Sequence, residues 1–286
     1  MVKKVAVIGL GVLGGSMQKS FRLNNCEVVG YDKFKPESDT FDACLNTAIA
    51  FLCLPTLFDE KLNEYDKSCI EEVCYHLVKN NFNGILINKS TVEPGTTIQL
   101  SKQFPSLKFI HNPEFLTAAT AYEDFHNQKH IVLGKGPTVT ENDVSFISDF
   151  YRRLYPDAEI SICSSTESES MKSFVNCFYA VKIQFFNELY LLCQKMGCDY
   201  DVVKDLMLKN KWINPMHTNV PGTDGKLSYG GYCFPKDTNA LLEHMKREGT
   251  FHGVLEATIK ERNKMRSDNT NIKAKETKQQ IMSELN

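Results

Sequence analysis

Short hydrophobic runs alternate with longer amphipathic stretches over the first half of the chain. The short runs predict strands over Lys4–Ile8, Glu27–Tyr31, Ala48–Leu54, Gly84–Lys89, Lys108–His111, His130–Leu133 and Ala158–Cys163. Between several of them, apolar residues recur at helical spacing over Gly14–Asn24, Tyr65–Asn80, Thr97–Phe104 and Glu141–Leu154. Alternating strands and helices predict an α/β fold with a Rossmann-type, doubly wound and mostly parallel sheet.

The pattern changes at a polar break, Ser164–Glu167, whose residues favour the start of a helix. Beyond it the strands stop, and helices are predicted over Glu167–Met196, Tyr200–Asn210, Lys236–Arg247 and Phe251–Lys264. We therefore expect an α/β domain over residues 1–163 and an all-helical domain over residues 164–286. From about Ser267 onward the sequence is charged and weakly apolar, which predicts a frayed helix or a tail.

Composition narrows the class of protein. A hydrophobic content of 42% and a charged content of 24% are ordinary for a globular chain of 286 residues. A net charge of −2 without a Lys/Arg stripe argues against nucleic-acid binding. No apolar run approaches the roughly 18 residues of a membrane span, and the first residues show no cleavable leader.

The spacing of the cysteines indicates the cellular compartment and argues against a metal site. The ten cysteines are irregularly spaced, which indicates reduced thiols in a cytosol-like compartment and not a disulfide framework. No pair of C-x-x-C motifs is present, so we expect no zinc site and no other metal. The sequence therefore predicts a cytoplasmic protein.

One cysteine lies in an unusual polar segment, Gly230–Asp237, which reads Gly-Gly-Tyr-Cys-Phe-Pro-Lys-Asp. The two glycines let the backbone approach a ligand closely. Lys236 and Asp237 follow Cys233 within four residues, and a thiol near a cation is more easily held as the thiolate that attacks carbonyl carbon. The segment indicates either a catalytic nucleophile or a packed thiol without chemistry.

A glycine-rich turn follows the first predicted strand. Residues Gly9–Gly14 have the pattern G-x-G-x-x-G and open a helix, so that backbone N–H groups can bind a pyrophosphate. Asp32 ends the second strand, where a carboxylate can accept hydrogen bonds from both ribose hydroxyls, which favours NAD. Lys33 and Lys35 keep NADP open, and a strand–turn–helix without a ligand is the remaining alternative.

Two polar residues share one face of the long predicted helix. Lys172 and Asn176 are four residues apart, whereas the neighbouring Phe174, Phe178, Phe185 and Phe186 suggest a core-facing side. The polar pair is either a solvated helix edge or a group that stabilises an oxyanion and an ordered water. Spacing leaves both interpretations open.

These motifs together resemble the UDP-glucose/GDP-mannose 6-dehydrogenase family of nucleotide-sugar dehydrogenases. The resemblance runs in order from residue 1 to about Arg266, and the Tyr-Gly-Gly-Tyr-Cys form is similar to the UDP-glucose branch. Five segments carry it: Gly9–Gly14, Phe51–Thr56, Ser90–Thr97, Asn112–Leu116 and Gly230–Asp237. The helix with Lys172 and Asn176 resembles the central-domain helix of that family.

The resemblance implies a chemistry for the cysteine. The C6 alcohol of the sugar is oxidised twice with two NAD⁺, and the Cys233 thiolate traps the intermediate aldehyde as a thiohemiacetal. A second oxidation gives a thioester that water hydrolyses. For UDP-glucose the product is UDP-glucuronate. Lys172 and Asn176 then stabilise oxyanions and water, Thr91 and Glu114 assist the base, and Asp237 positions Lys172.

The resemblance also implies the full set of site residues. The catalytic residues are Cys233, Lys172, Asn176, Asp237, Thr91 and Glu114. The cofactor-binding residues for NAD are Gly9, Gly11, Val12, Leu13, Gly14, Asp32, Pro55, Thr56 and Thr91. The substrate-binding residues are Phe115, Leu116, Lys172, Asn176, Tyr229 and Gly230. We expect no metal, a nucleotide-sugar substrate, and a homodimer formed through the long central helix.

Three departures from the family pattern matter. Ala118 stands where the family carries a second acid after the one matching Glu114. The segment between Asp32 and Phe51 is short. The sequence ends soon after the last predicted helix, so we expect a chain without the second α/β domain with which the family binds the nucleotide.

Two alternatives to a UDP-glucose 6-dehydrogenase therefore stay open. One is a β-hydroxyacid-type dehydrogenase, which performs a single oxidation and needs no cysteine. The other is a non-catalytic relative that retains the fold for binding.

Overall fold

The computed structural model describes residues 4–266 and residue 268, which form two compact units. The first unit comprises residues 4–57 and 65–172, and the second comprises residues 58–64 together with the described residues from 173 onward. Apart from Asp268, the tail predicted from Ser267 lies outside the described residues.

Seven strands of the first unit form one sheet in the order β2-β1-β3-β6-β7-β8-β9, and a further pair, β4 and β5, forms a two-stranded ribbon. All neighbours in the large sheet are parallel except β7 and β8. The strands are β1 Lys4–Ile8, β2 Glu27–Tyr31, β3 Ile49–Leu52, β4 Phe58–Asp59, β5 Glu64–Tyr65, β6 Ile85–Asn88, β7 Lys108–His111, β8 His130–Lys135 and β9 Glu159–Ser164.

Six helices accompany the sheet, and the others lie beyond it in the chain. The helices are α1 Val12–Leu23, α2 Phe41–Cys44, α3 Ser68–Lys79, α4 Thr96–Gln103, α5 Ala121–His126, α6 Glu141–Leu154, α7 Ser165–Met196, α8 Tyr200–Leu208, α9 Cys233–Arg247 and α10 Gly253–Met265. A 3-10 turn precedes α5 at Ala118–Thr120. The predicted fold class, a mostly parallel Rossmann-type sheet followed by helices, is confirmed.

Alternation along the strands explains the two faces of the sheet. In β1, Val5 and Val7 belong to one buried cluster, and Ala6 and Ile8 belong to the other. Because successive side chains of a strand point to opposite faces, a run of apolar residues serves two layers of helices. Phe21 on α1 anchors the first cluster, with its ring centroid 5.7 Å from that of Phe125 on α5.

The sequence prediction was wrong about most of the aromatic residues on α7. Phe186 is buried, but Phe174, Phe178 and Phe185 are 54%, 62% and 54% exposed. The physical reason is that residue type alone does not say which face of a helix meets its own core, and here that face carries other residues.

The elements missed by the pattern are the shortest. Helix α2, helix α5 and the β4–β5 ribbon each span two to six residues. Such short elements show too few apolar repeats to reveal a period. Within the part of the chain that the structure describes, none of the helices combines the length and apolarity that crossing a bilayer requires.

His111 ties the end of β7 to the start of α7. Its ring is completely buried, and Nδ1 lies 2.8 Å from Ser168 Oγ. Burial, together with the Lys89 charge, lowers the pKa of His111 to about 3. The imidazole therefore stays neutral in the folded chain at neutral pH.

Because of this burial, the free energy of unfolding should fall in acid. Below about pH 6.5 His111 binds a proton in the unfolded chain, whereas in the folded chain it does so only near pH 3. The contribution of the neutral imidazole to the free energy of unfolding is therefore fully present above about pH 6.5 and is lost as the pH falls toward about 3. The loss amounts to at most about 1.4 kcal/mol per pH unit. Chemical denaturation at several pH values measures it.

A His111→Phe variant should lose this part of the pH dependence, even though it also loses the hydrogen bond to Ser168. The control is His76→Phe, at an exposed position on α3, which should keep the parental slope. Equal slopes for the parent and His111→Phe between about pH 6.5 and about pH 4 would contradict the argument.

Candidate active site

The turn between β1 and α1 provides a cradle for a diphosphate. Gly9 has φ +92°, and a Cβ on Gly14 would lie only 1.8 Å from Gly9 O. A Cβ on Gly11 would meet no atom within 4 Å, so this side of the turn is open. The first N–H groups of an α-helix have no partner within the helix and are available to an anion at its N-terminus. The turn can therefore bind an anion against the backbone.

Asp32 is held by the backbone of the same region. Its Oδ2 accepts from Leu10 N–H at 2.7 Å, and its Oδ1 accepts from Phe34 N–H at 2.9 Å. Each carboxylate oxygen keeps a further lone pair for a ribose hydroxyl.

Each of the two lysines that kept NADP open is bound by a neighbouring residue. Lys33 pairs with Glu72 at 2.6 Å, and Lys35 donates to Leu10 O at 2.8 Å. Lys35 thus stays beside the residue whose N–H binds Asp32, and it is the Asp32 carboxylate, which repels a 2′-phosphate, that favours NAD.

The loops after β3 and β6 are tied together at the carboxyl edge of the sheet. Thr56 Oγ1 donates to Thr91 O at 2.6 Å, and Ser90 Oγ donates to Leu54 O at 2.7 Å. The structure thus brings three predicted cofactor residues, Pro55, Thr56 and Thr91, to adjacent loops. Parallel strands place their carboxyl ends on one edge, where ligands of such folds bind.

Glu114 organises the turn that follows β7. Its Oε1 accepts from the N–H groups of Phe115 at 2.7 Å and Leu116 at 2.9 Å. These N–H groups are therefore engaged by Glu114, which leaves the two carbonyl oxygens as the backbone groups for a substrate. The Lys172 ammonium lies 5.5 Å from the Phe115 ring centroid, so the structure brings these predicted residues together.

Glu169, which the sequence prediction missed, fixes the start of α7 against α4. Its carboxylate accepts from Gly95 N–H at 2.7 Å and Thr97 N–H at 2.8 Å. Burial raises the pKa of Glu169, although these hydrogen bonds act in the opposite direction. The sequence held one signal for this contact. The N-cap of α4 is Gly95, which has no side chain to accept from the first N–H groups of the helix, so another residue must supply the acceptor.

In the second unit, Asp237 joins α7 to the first turn of α9. Its Oδ2 accepts from Asn176 Nδ2 at 2.6 Å, and its Oδ1 contacts Lys236 Nζ at 2.5 Å. Asp237 is completely buried and Asn176 is 8% exposed. Asn176 is therefore a constrained, hydrogen-bonded amide, and the interpretation as a solvated helix edge was wrong for this residue.

Cys233 is exposed and is the first residue of α9, where the sequence suggested a loop. The partial positive charge at a helix N-terminus and the ammonium of Lys236 one turn later both stabilise a thiolate. Burial alone would lower the pKa of Lys236, but Asp237 and Cys233 raise it above its usual value. The cysteine thus has the setting of a nucleophile.

The loop before Cys233 is anchored by two arginines of the α10 region that the sequence prediction missed. Arg262 Nε donates to Tyr229 O at 3.3 Å, and Arg266 Nη1 donates to Ser228 O at 3.2 Å. A Cβ on Gly230 would lie 2.4 Å from Arg266 Nη2. A side chain at position 230 would therefore displace the guanidinium of Arg266.

Comparisons with known proteins match two successive segments of the chain to one family. Residues 31–155 match the NAD-binding domain of the UDP-glucose/GDP-mannose dehydrogenase family, and residues 166–264 match its central domain. The chain belongs to this family. NAD is accordingly its cofactor, and the glycine turn and Asp32 fit it. The predicted family and cofactor are confirmed.

Individual relatives show how much of the family the chain covers. It is 28% identical over 236 residues to a UDP-glucose 6-dehydrogenase of Campylobacter jejuni, covering 82% of this chain and 56% of the relative. A second such enzyme, from Streptococcus pneumoniae, is 26% identical, with 77% and 55% covered. The chain thus spans about half the length of the curated relatives it matches.

Two solved structures share the fold of this chain. The UDP-glucose dehydrogenase of Pyrobaculum islandicum superimposes with a TM-score of 0.81 at 25% identity, covering 92% of this chain and 68% of that one. A 3-hydroxyisobutyrate dehydrogenase of Mycobacterium tuberculosis reaches 0.72 at 14% identity, with 94% and 96% covered. The second likeness shows the fold alone.

Gly14→Ala should weaken NADH binding by at least about tenfold, because the added Cβ must displace Gly9 O and deform the cradle. Fluorescence titration with NADH measures the affinity, and circular dichroism checks the fold.

The matched control is the adjacent Gly15→Ala. Its Cβ would lie 3.7 Å from the nearest atom, Leu10 O, which is an ordinary contact. If both variants bound NADH as tightly as the parent, Gly14 would not form the cradle.

Proposed function

We propose that this chain catalyses the NAD-dependent four-electron oxidation of UDP-glucose to UDP-glucuronate, with Cys233 as a covalent nucleophile. The observation that supports it most directly is the position of Cys233 at the start of α9, beside Lys236 and the buried Asp237. A dehydrogenase that performs one oxidation has no need of a thiolate there. Membership of the family adds the NAD-binding domain.

The proposed reaction consists of two oxidations, one covalent addition and one hydrolysis. When bound, NAD⁺ accepts a hydride in each of two oxidations. In the first oxidation the C6 alcohol also releases a proton and becomes the aldehyde. Cys233 Sγ adds to the carbonyl carbon of this aldehyde, and the alkoxide takes up a proton to give a thiohemiacetal. The thiohemiacetal then loses a hydride and a proton and becomes a thioester. Water cleaves the C–S bond, which yields the C6 carboxylate and two protons and regenerates the thiolate.

The remaining site residues receive roles from their chemistry. Lys172 and Asn176 stabilise the oxyanions, and Asp237 orients the Asn176 amide through the hydrogen bond to Nδ2. Thr91 and Glu114 act on the water that cleaves the thioester.

Ala118, at the start of the 3-10 turn, has no carboxylate to contribute, so Glu114 is the one carboxylate that the proposal assigns to this hydrolysis.

The sugar is bound in the proposal by the carbonyl oxygens of Phe115 and Leu116 and by the segment of Tyr229 and Gly230. Tyr229 itself is 1% exposed, so its side chain serves packing and its backbone serves the ligand. The nucleotide half of the substrate requires further contacts, because remote binding energy positions the reacting end.

Purified chain with NAD⁺ and UDP-glucose should form two NADH for each UDP-glucuronate. Cys233→Ser should stop before the second oxidation, because an alcohol side chain is a poor nucleophile for the aldehyde. Absorbance of NADH together with chromatography of the sugar product measures both. The control is Cys198→Ser, which removes another exposed thiol and should keep the parental stoichiometry.

Other outcomes would redirect the proposal. One NADH per substrate, unchanged in Cys233→Ala, would support the β-hydroxyacid type of reaction. NADH binding without turnover of any nucleotide sugar would support the non-catalytic relative.

A homodimer through α7 is part of the proposal. Phe174, Phe178, Phe185, Leu192 and Met196 are all more than half exposed. At 100° per residue these five positions fall within about 40° of one another, so they form a single apolar stripe along the helix. An exposed apolar stripe of this kind is typical of a surface that a second helix covers.

Changing both Phe178 and Phe185 to Glu should convert the dimer to a monomer, because the paired helices would have to bury like charges. Light scattering after size-exclusion chromatography gives the mass. The control is Val202→Glu on α8, an equally exposed apolar residue away from the stripe. A monomeric parent would refute this part of the proposal.

A further inference from the structure

Lys89 is a buried lysine to which the proposed function assigns no role. It follows β6 directly, its backbone N–H donates to Leu52 O at 2.9 Å, and its side chain is 1% exposed. A lysine is almost never buried unless its ammonium has a partner, because removing the charge from water is costly. The contacts of this side chain should therefore reveal its role.

The ammonium group is held by three neighbours. Lys89 Nζ donates to Asn112 Oδ1 at 3.0 Å and lies 3.4 Å from Glu114 Oε2. It also lies 5.7 Å from the ring centroid of Phe125, within range of a cation–π interaction. Glu114 supplies the negative charge of this group, and Asn112 supplies the hydrogen bond.

Asn112 is itself fixed from both sides. Its Nδ2 donates to Val132 O at 2.8 Å, and its Oδ1 also accepts from the hydroxyl of Tyr151 at 2.5 Å. Tyr151 is completely buried in the core of the first unit. The ammonium of Lys89 is thus bound to Asn112, which is itself held in place by two hydrogen bonds. It therefore stays in position if the Glu114 carboxylate moves.

Glu114 uses its two oxygens for different purposes. Oε2 faces Lys89, while Oε1 accepts the N–H groups of Phe115 and Leu116. Without a cation, a half-buried carboxylate gains free energy by turning to water, and this movement would break both backbone hydrogen bonds. The ion pair with Lys89 offsets this gain in free energy, so the carboxylate keeps both backbone hydrogen bonds.

We propose that Lys89 is a positioning residue, whose ammonium holds the Glu114 carboxylate in the orientation that keeps the Phe115–Leu116 turn ready for the sugar. The role in catalysis rests on the proposed function, but the interaction between the two charges does not. Loss of Lys89 should release Glu114 to solvent and loosen the turn.

Amide hydrogen exchange at Phe115 and Leu116 tests the inference without any turnover. In Lys89→Met both amides should exchange at least about tenfold faster than in the parent, because their acceptor has moved. In the double variant Lys89→Met with Glu114→Gln, protection should return, since a neutral amide oxygen can accept the same bonds and has no charge to hydrate.

The single and the double variant should also differ in KM and kcat. Lys89→Met should raise KM for UDP-glucose and lower kcat. The double variant should restore KM while kcat stays low, because the carboxylate assigned to hydrolysis is gone.

The control is Lys108→Met. Lys108 begins β7 at the opposite edge of the sheet and pairs with Asp143 at 2.8 Å, so its loss should leave both amides and KM unchanged.

Should Lys89→Met fail to fold, the two remaining variants decide. The double variant should then melt higher than Glu114→Gln alone, by about 5 °C or more, because Glu114→Gln leaves a buried ammonium without its counter-charge. Protection retained in Lys89→Met, lost protection that the double variant does not restore, or no gain in melting temperature would each overturn the inference. A parent that binds NADH but turns over no nucleotide sugar, with the amide results as expected, would overturn only the proposed function.

Discussion

A charge removed from water needs a partner, and both units of this chain are organised around buried charges that meet this requirement. Glu169 accepts backbone N–H groups at the start of α4, and Lys89 lies between Glu114 and Asn112. In the second unit, Asp237 joins Asn176 to Lys236. Because breaking such a pair costs several kcal/mol, each pair holds its segments of chain in one arrangement.

The parallel sheet explains why the cofactor residues lie together. Parallel pairing of β1, β3 and β6 brings the loops after these strands to one edge. There Gly9 can approach Cys53 closely only because it has no side chain, and Ser90 and Thr56 connect neighbouring loops. The geometry that NAD requires is thus a consequence of strand order together with a few small residues.

The second unit uses helices for the same purpose. Helix α9 presents its first residue, Cys233, to solvent, whereas Lys236 and Asp237, which follow within the same helix, are buried. Arg262 and Arg266 of the α10 region bind the backbone of the loop that precedes Cys233. An exposed thiol on a buried support suits the proposed covalent role, because the sulfur must reach the substrate while its surroundings stay fixed.

The sequence by itself determined the strands, the long helices, the glycine turn and the family, because these depend on local period and on residues a few positions apart. It also predicted site roles for Cys233, Asp237 and Glu114 by residue type and motif, and these roles stay predictions. Only the tertiary structure decided which face of α7 is exposed, since Phe178 and Phe186 look alike in sequence. The same holds for Lys89 and Glu169, whose partners are 25 and 74 residues away and are joined only by the fold.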